Sequence, residues 1–137
     1  MQMDKFTHKS QAAIQAAQGL AYELGHQEIQ PEHLLKVLVA EPEGVVVPVL
    51  QKIGVAPATL LAEADQLLAR LPKVSGGGFG QVALAAASHR LLEKSFKIAA
   101  GMHDEYVSQE HIFLALLEER ETPVVLIPQT LILAGAR

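Results

Sequence analysis

At 137 residues the chain is long enough for one compact domain with a sizeable core. Half of it is hydrophobic, but only 4% is aromatic and Trp is absent, so that core must be built from Leu, Ile, Val and Ala. A formal charge of −4 with no local Lys/Arg cluster excludes a nucleic-acid surface, and the absence of Cys excludes a disulfide framework and thiolate chemistry.

Met1-Gln2-Met3-Asp4-Lys5 lacks the apolar stretch of a signal peptide. The longest apolar runs, such as Val82 to Ala87, are far too short to span a bilayer. The first helix is predicted from Thr7 to Leu24, with Thr7 as its N-cap and Gly25 as its stop. Phe6, Ala13, Ala17, Leu20 and Leu24 make its apolar stripe. The second helix is predicted over Pro31 to Ala40, starting on a proline whose missing N–H costs nothing at that position. A short third helix spans Val45 to Ile53, with Pro48 tolerable only in its first turn. A fourth spans Pro57 to Arg70.

Leu71 to Gln81 contains Gly76-Gly77-Gly78 and reads as a linker. It has no Gly-Lys-Ser/Thr ending and no strand before it, so it is not a phosphate-cradling loop. Beyond it the same pattern returns. Gln30-Pro31-Glu32-His33-Leu34-Leu35 reappears as Ser108-Gln109-Glu110-His111-Ile112-Phe113, an offset of 78 residues (110 minus 32). The offset also aligns Phe6 with Leu84, Ile14 with Leu92, Leu20 with Ile98, Ile29 with Val107 and Leu38 with Leu116. The second half thus carries a long helix from about Val82 to Met102 and another from Gln109 to Glu119, with Ser108 as N-cap. Thr122-Pro123 looks like a further helix start, with Pro128 kinking or restarting it. Leu131 to Gly135 echoes Leu50 to Gly54. No counterpart of the fourth helix follows, which suggests a piece of a longer protein. No alternating strand pattern is present.

The expected fold is all-α: seven to eight helices in two pseudo-symmetric repeats (4–70 and 83–137) joined by a linker (71–82), all in a single domain over 1–137. A duplicated helical unit makes a seam between two half-sites, a place to hold something.

Candidate chemistry is sparse. No pair of the six histidines has the i, i+4 spacing with a flanking Glu that marks a zinc protease. His33 and His111 are repeat equivalents whose shared role is best read as bonding backbone near the turn. Glu32 and Glu110 could suggest an acid–base pair, but each sits in the first turn of a helix, where negative charge favours the dipole. No Ser/His/Asp grouping stands out, so neither a catalytic residue nor a metal ligand is expected. A subtler signal lies on the long helix of the second repeat. Its core stripe reads Leu84, Leu91, Ile98 and Met102, and Leu92 and Phe96 fall to one side. That apolar shoulder either packs internally or forms an exposed groove wall for segments of another chain.

Three stretches together resemble the N-terminal domain of the ClpB disaggregase family of AAA+ chaperones: Asp4-Lys5-Phe6-Thr7 before the long Ala/Gln-rich helix; Ile29 to Leu35; and Arg70 to Gly78 followed by Asp104 to Ser108 and Glu110-His111. The duplicated Glu-His text looks like Clp N-domains in general. Leu-Pro-Lys-Val-Ser-Gly-Gly looks like ClpB in particular.

The resemblance implies a cytoplasmic, heat-shock and stress-response protein that is a hexameric ATPase in full, using ATP and Mg and working with a DnaK-type chaperone on unfolded or aggregated polypeptides. The fragment itself would contain no ATPase module, bind no cofactor and catalyse nothing. It implies a substrate-handling polar group at Thr7, Asp104 and Glu110, beside an apolar groove lined by Leu92 and neighbours such as Phe96. The alternative role is docking a folded adaptor to a Clp protease. Neither role calls for nucleic acid or membrane.

Overall fold

The computed structural model describes residues 2–52, 54–74 and 82–119. The glycine run, the end of the third expected helix at Ile53, and the whole segment after Glu119 lie outside them. Among the described residues there are six α-helices: α1 (His8–Glu23), α2 (Pro31–Ala40), α3 (Val46–Lys52), α4 (Pro57–Ala69), α5 (Ala86–Gly101) and α6 (Gln109–Glu118). A single 3-10 turn, Met3–Lys5, precedes α1. None of these helices is long and apolar enough to cross a membrane.

Local chemistry accounts for the boundaries. Thr7 caps α1: the Ser10 N–H donates to Thr7 Oγ1 at 3.1 Å, satisfying an amide that has no partner within the helix. Gly25 ends it at φ +77°, a left-handed conformation that glycine enters without a Cβ penalty. Pro31 and Pro57 open α2 and α4, and Pro48 falls in the first turn of α3. Thr7→Ala is expected to cost about 1 kcal/mol or slightly more, because it also takes the hydroxyl partner of the fully buried Ser10. Urea unfolding of the variant checks this.

Among the described residues the all-α expectation holds, with one short sheet added. Two residues of β1 (Glu28–Ile29) pair in parallel with two of β2 (Ala83–Leu84), in register Glu28 to Ala83 and Ile29 to Leu84. A single parallel bridge joins Phe6 to Val107. These short pairings have no periodicity to reveal them, being shorter than one alternation. They also follow the 78-residue offset reciprocally. The Thr7 N–H donates to the Val107 carbonyl at 3.0 Å, and the Ala85 N–H donates to the Ile29 carbonyl at 3.1 Å. The start of each half is thus hydrogen-bonded to the middle of the other, so the halves are laced together.

The core lies around α2 and α6 and is filled by Phe6, Leu34, Leu38, Leu50, Leu91 and Ile112, with Leu116 against them. The long helices bury part of the expected stripes, with Ala13, Ala17 and Leu91 inside as expected, and add small residues to them. In α1 the buried residues are Ser10, Ala13, Ala17 and Ala21, while Leu20 is only half-buried. In α5 they are Ser88, Leu91, Leu92, Ser95 and Ala99, and Met102 is 50% exposed. Serine can line this face because its hydroxyl finds a carbonyl: Ser88 Oγ donates to Ile29 at 2.6 Å and Ser95 Oγ to Leu92 at 2.5 Å. Small side chains at these positions let the helices approach closely.

Candidate functional site

The lacing of residues 5–7 to residue 107 brings the N-terminus of α1 beside that of α6. Between them lies a shallow, mostly apolar depression lined by Thr7, His8, Lys9, Val45, Ser108 and Gln109. Its floor is fixed across the fold: the Gln109 side chain, 5% exposed, donates from Nε2 to the Lys9 carbonyl at 3.1 Å. Val45, in the turn before α3, is 44% exposed at its edge. A second, more acidic depression shares Lys9 and Gln109 and is completed by Ala12, Glu41 and Glu43.

Asp104, Glu110 and His111 form the polar group next along the chain, their ligand-type atoms within 4.8 Å of one another. Two local devices place them. The turn after α5 closes with the His103 N–H on the Ala100 carbonyl and the Asp104 N–H on that of Ala99, a helix-end motif that requires a left-handed residue. His103 fills that position at φ 60°. Asp104 Oδ2 then lies 2.9 Å from His111 Nε2. At the other ring nitrogen, the Ser108 N–H donates to His111 Nδ1 at 2.9 Å. A backbone amide can only donate, so Nδ1 is the acceptor and Nε2 carries the proton that goes to Asp104. A metal at Nε2 would need a lone pair there. Nδ1 would then carry the proton and face the Ser108 amide, donor against donor. His111 is built into the cap of α6, and a metal at its Nε2 would break that arrangement.

The first half repeats this plan with one change. His26 stands where Asp104 stands (104 minus 78). The Gln30 N–H donates to His33 Nδ1 at 2.8 Å, and His33 Nε2 lies 2.8 Å from His26 Nδ1. By the same logic His33 donates to His26, leaving the proton of His26 on Nε2, which is buried and has no partner. Burial and the neighbouring His26 ring lower the His33 pKa to about 4, against an opposing backbone hydrogen bond at Gln30. Burial and the Lys73 charge also lower that of His26. Glu32, equivalent to Glu110, is buried, and this raises its carboxyl pKa although a backbone hydrogen bond opposes the shift. The backbone-bonding role expected of His33 and His111 is what the geometry shows.

Asp104 and Glu110 lie together, and Thr7 is hydrogen-bonded to Val107, three residues along the chain from each. Leu92 and Phe96 are placed differently from the expected groove wall. Leu92 is 0% exposed and belongs to the core. Phe96 is half-buried, its ring edge-on to Phe6 with centroids 4.9 Å apart. The shoulder packs internally, with Phe6 against Phe96 and Leu92 within the buried core. Val45 and Gln109 were not singled out by sequence reasoning. The available signal was Gly44, where an added Cβ would come within 2.9 Å of both Gln109 Oε1 and Glu41 Cγ.

Two helical halves, offset by 78 residues and hydrogen-bonded reciprocally, define the architecture. The chain matches the Clp repeat (R) N-terminal domain family over residues 5–129, and it belongs to that family. It is 39% identical over 127 residues to the chaperone protein ClpB of Nitratidesulfovibrio vulgaris, covering 91% of this chain but 15% of that protein's length. Among solved structures, the Hsp104 N-terminal domain from Candida albicans superposes with a TM-score of 0.78 at 23% identity, covering 96% of this chain and 82% of that one. A ClpV N-domain in complex with a VipB peptide superposes at 0.77 and 22% identity, covering 90% and 76%.

Proposed function

We propose that this domain recruits substrate for an ATP-dependent protein disaggregase, taking exposed apolar segments of unfolded or aggregated polypeptides into the depression between Thr7, Val45 and Ser108. The observation that carries the reading is that apolar, open surface at the junction of α1, α3 and α6. It is supported by the similarity to ClpB chaperones and by the peptide bound to the ClpV N-domain. In the proposed full-length setting, ATP and Mg are used by separate modules of a hexamer, in the cytoplasm and with a DnaK-type partner.

A shallow site buries few side chains, at about 25 cal/mol per Å² of apolar area, and a disordered ligand loses entropy on ordering. Affinity of micromolar or weaker order follows, and six copies would raise it by multivalency. The test is an NMR titration of this chain with casein. Amide shifts are expected at Thr7, Val45, Ser108 and Gln109 and around Asp104 and Glu110. Val45→Asp should weaken them severalfold without unfolding the protein, since the side chain is already 44% exposed. A well-folded spectrum with no shift at this corner overturns the proposal. Saturable binding of a folded adaptor, with no response to casein, would replace it with the docking role.

A further inference from the structure

Gln109 is anchored by one half of its amide only. Its Nε2 must be the group facing the Lys9 carbonyl, because a carbonyl can only accept. The Oε1 is therefore left buried with no donor, facing Gly44 beside the acidic depression that Gln109 lines. A buried acceptor without a partner costs free energy that a bound donor would recover. Two carboxylates stand beside it. Glu41 is held by the turn it makes, its Oε1 accepting the Glu43 N–H at 3.3 Å, and Glu43 is exposed. Gly44 keeps the space clear, since a Cβ there would press on Gln109 Oε1 and on Glu41. Lys9 supplies the single opposing charge, leaving the lining net negative.

An orphan acceptor flanked by two carboxylates and joined to an apolar depression is complementary to a cationic donor carried next to an aliphatic side chain. We propose that the domain selects polypeptide segments in which a lysine or arginine neighbours an aliphatic residue, the cation seating between Glu41, Glu43 and Gln109 Oε1 while the aliphatic group takes the Val45 depression. This rests on the recruiting role above and names the class of segment recruited.

The experiment uses two acetylated and amidated peptides, identical except for lysine or glutamine beside a central leucine, titrated into this chain by NMR. The lysine peptide is expected to bind about three- to tenfold more tightly, with the margin shrinking in high salt because the carboxylates are partly exposed. In the double variant Glu41→Gln, Glu43→Gln the two peptides should bind equally, at the affinity of the glutamine peptide. Equal binding of both to the natural chain overturns the inference and leaves the recruiting role standing. A preference that survives in the double variant overturns it too, by placing the cation elsewhere. If neither peptide binds while the chain stays folded, both readings fall.

Discussion

Leu92→Gln is expected to lower the free energy of unfolding by about 3–5 kcal/mol, a large part of what holds a domain of this size together. Leu92 is fully buried against the core. The substitution removes branched apolar volume and leaves an amide with nothing to bond. Leu92→Met nearly conserves volume and should cost less than about 1.5 kcal/mol. Urea unfolding of the two variants separates burial from any role in binding. An unchanged midpoint for Leu92→Gln would mean that the side chain reaches solvent, restoring the groove wall that the shoulder on α5 suggested.

Acidification is expected to produce the second large effect, through His26 and His33. In the unfolded chain His33 takes up its proton around pH 6.5, whereas in the fold it resists until about pH 4. Over that window the unfolded state binds more protons, so stability falls as pH falls, by about 3 kcal/mol for His33. The stability is present above pH 6.5 and is lost progressively towards pH 4. The cause is geometric as well as dielectric. A second proton on His26 Nδ1 would face the proton that His33 Nε2 presents. Glu32 acts in the opposite sense, because its raised pKa makes the fold bind that proton first. The measurement is therefore made in a Glu32→Gln background. His26→Asp recreates the Asp104–His111 arrangement and should flatten the loss between pH 6.5 and 5. If the curve is equally steep with Asp at this position, the facing of the two rings is not its cause.

The positions of α1, α2, α3 and α4 were legible to within a residue or so, and so was the N-cap of α6, because capping oxygens, left-handed glycines and first-turn prolines act within a single helical turn. The paired roles of His33 and His111 were legible for a related reason: a signal that occurs twice at one spacing demands a shared local cause. The burial of α5 was not. Ser88 and Ser95 look like solvent-facing positions until the Ile29 and Leu92 carbonyls that accept from them are known. Met102, apolar by letter, ends half in solvent because the turn at His103 carries the chain away from the core.

By itself, then, the order of residues determined a duplicated helical domain and the ends of most helices. The duplication follows from the repeated pattern, and the helix ends from interactions within one turn. Only the tertiary structure decided that the halves exchange their pairings, that Leu92 is core, and that Gln109 is left with an unused acceptor beside Glu41 and Glu43. The Gln109–Lys9 bond that decides the last point joins residues 100 positions apart. No local pattern encodes which carbonyl a side chain will meet at that distance along the chain. That is set by the tertiary arrangement that brings the N-terminus of α1 beside that of α6.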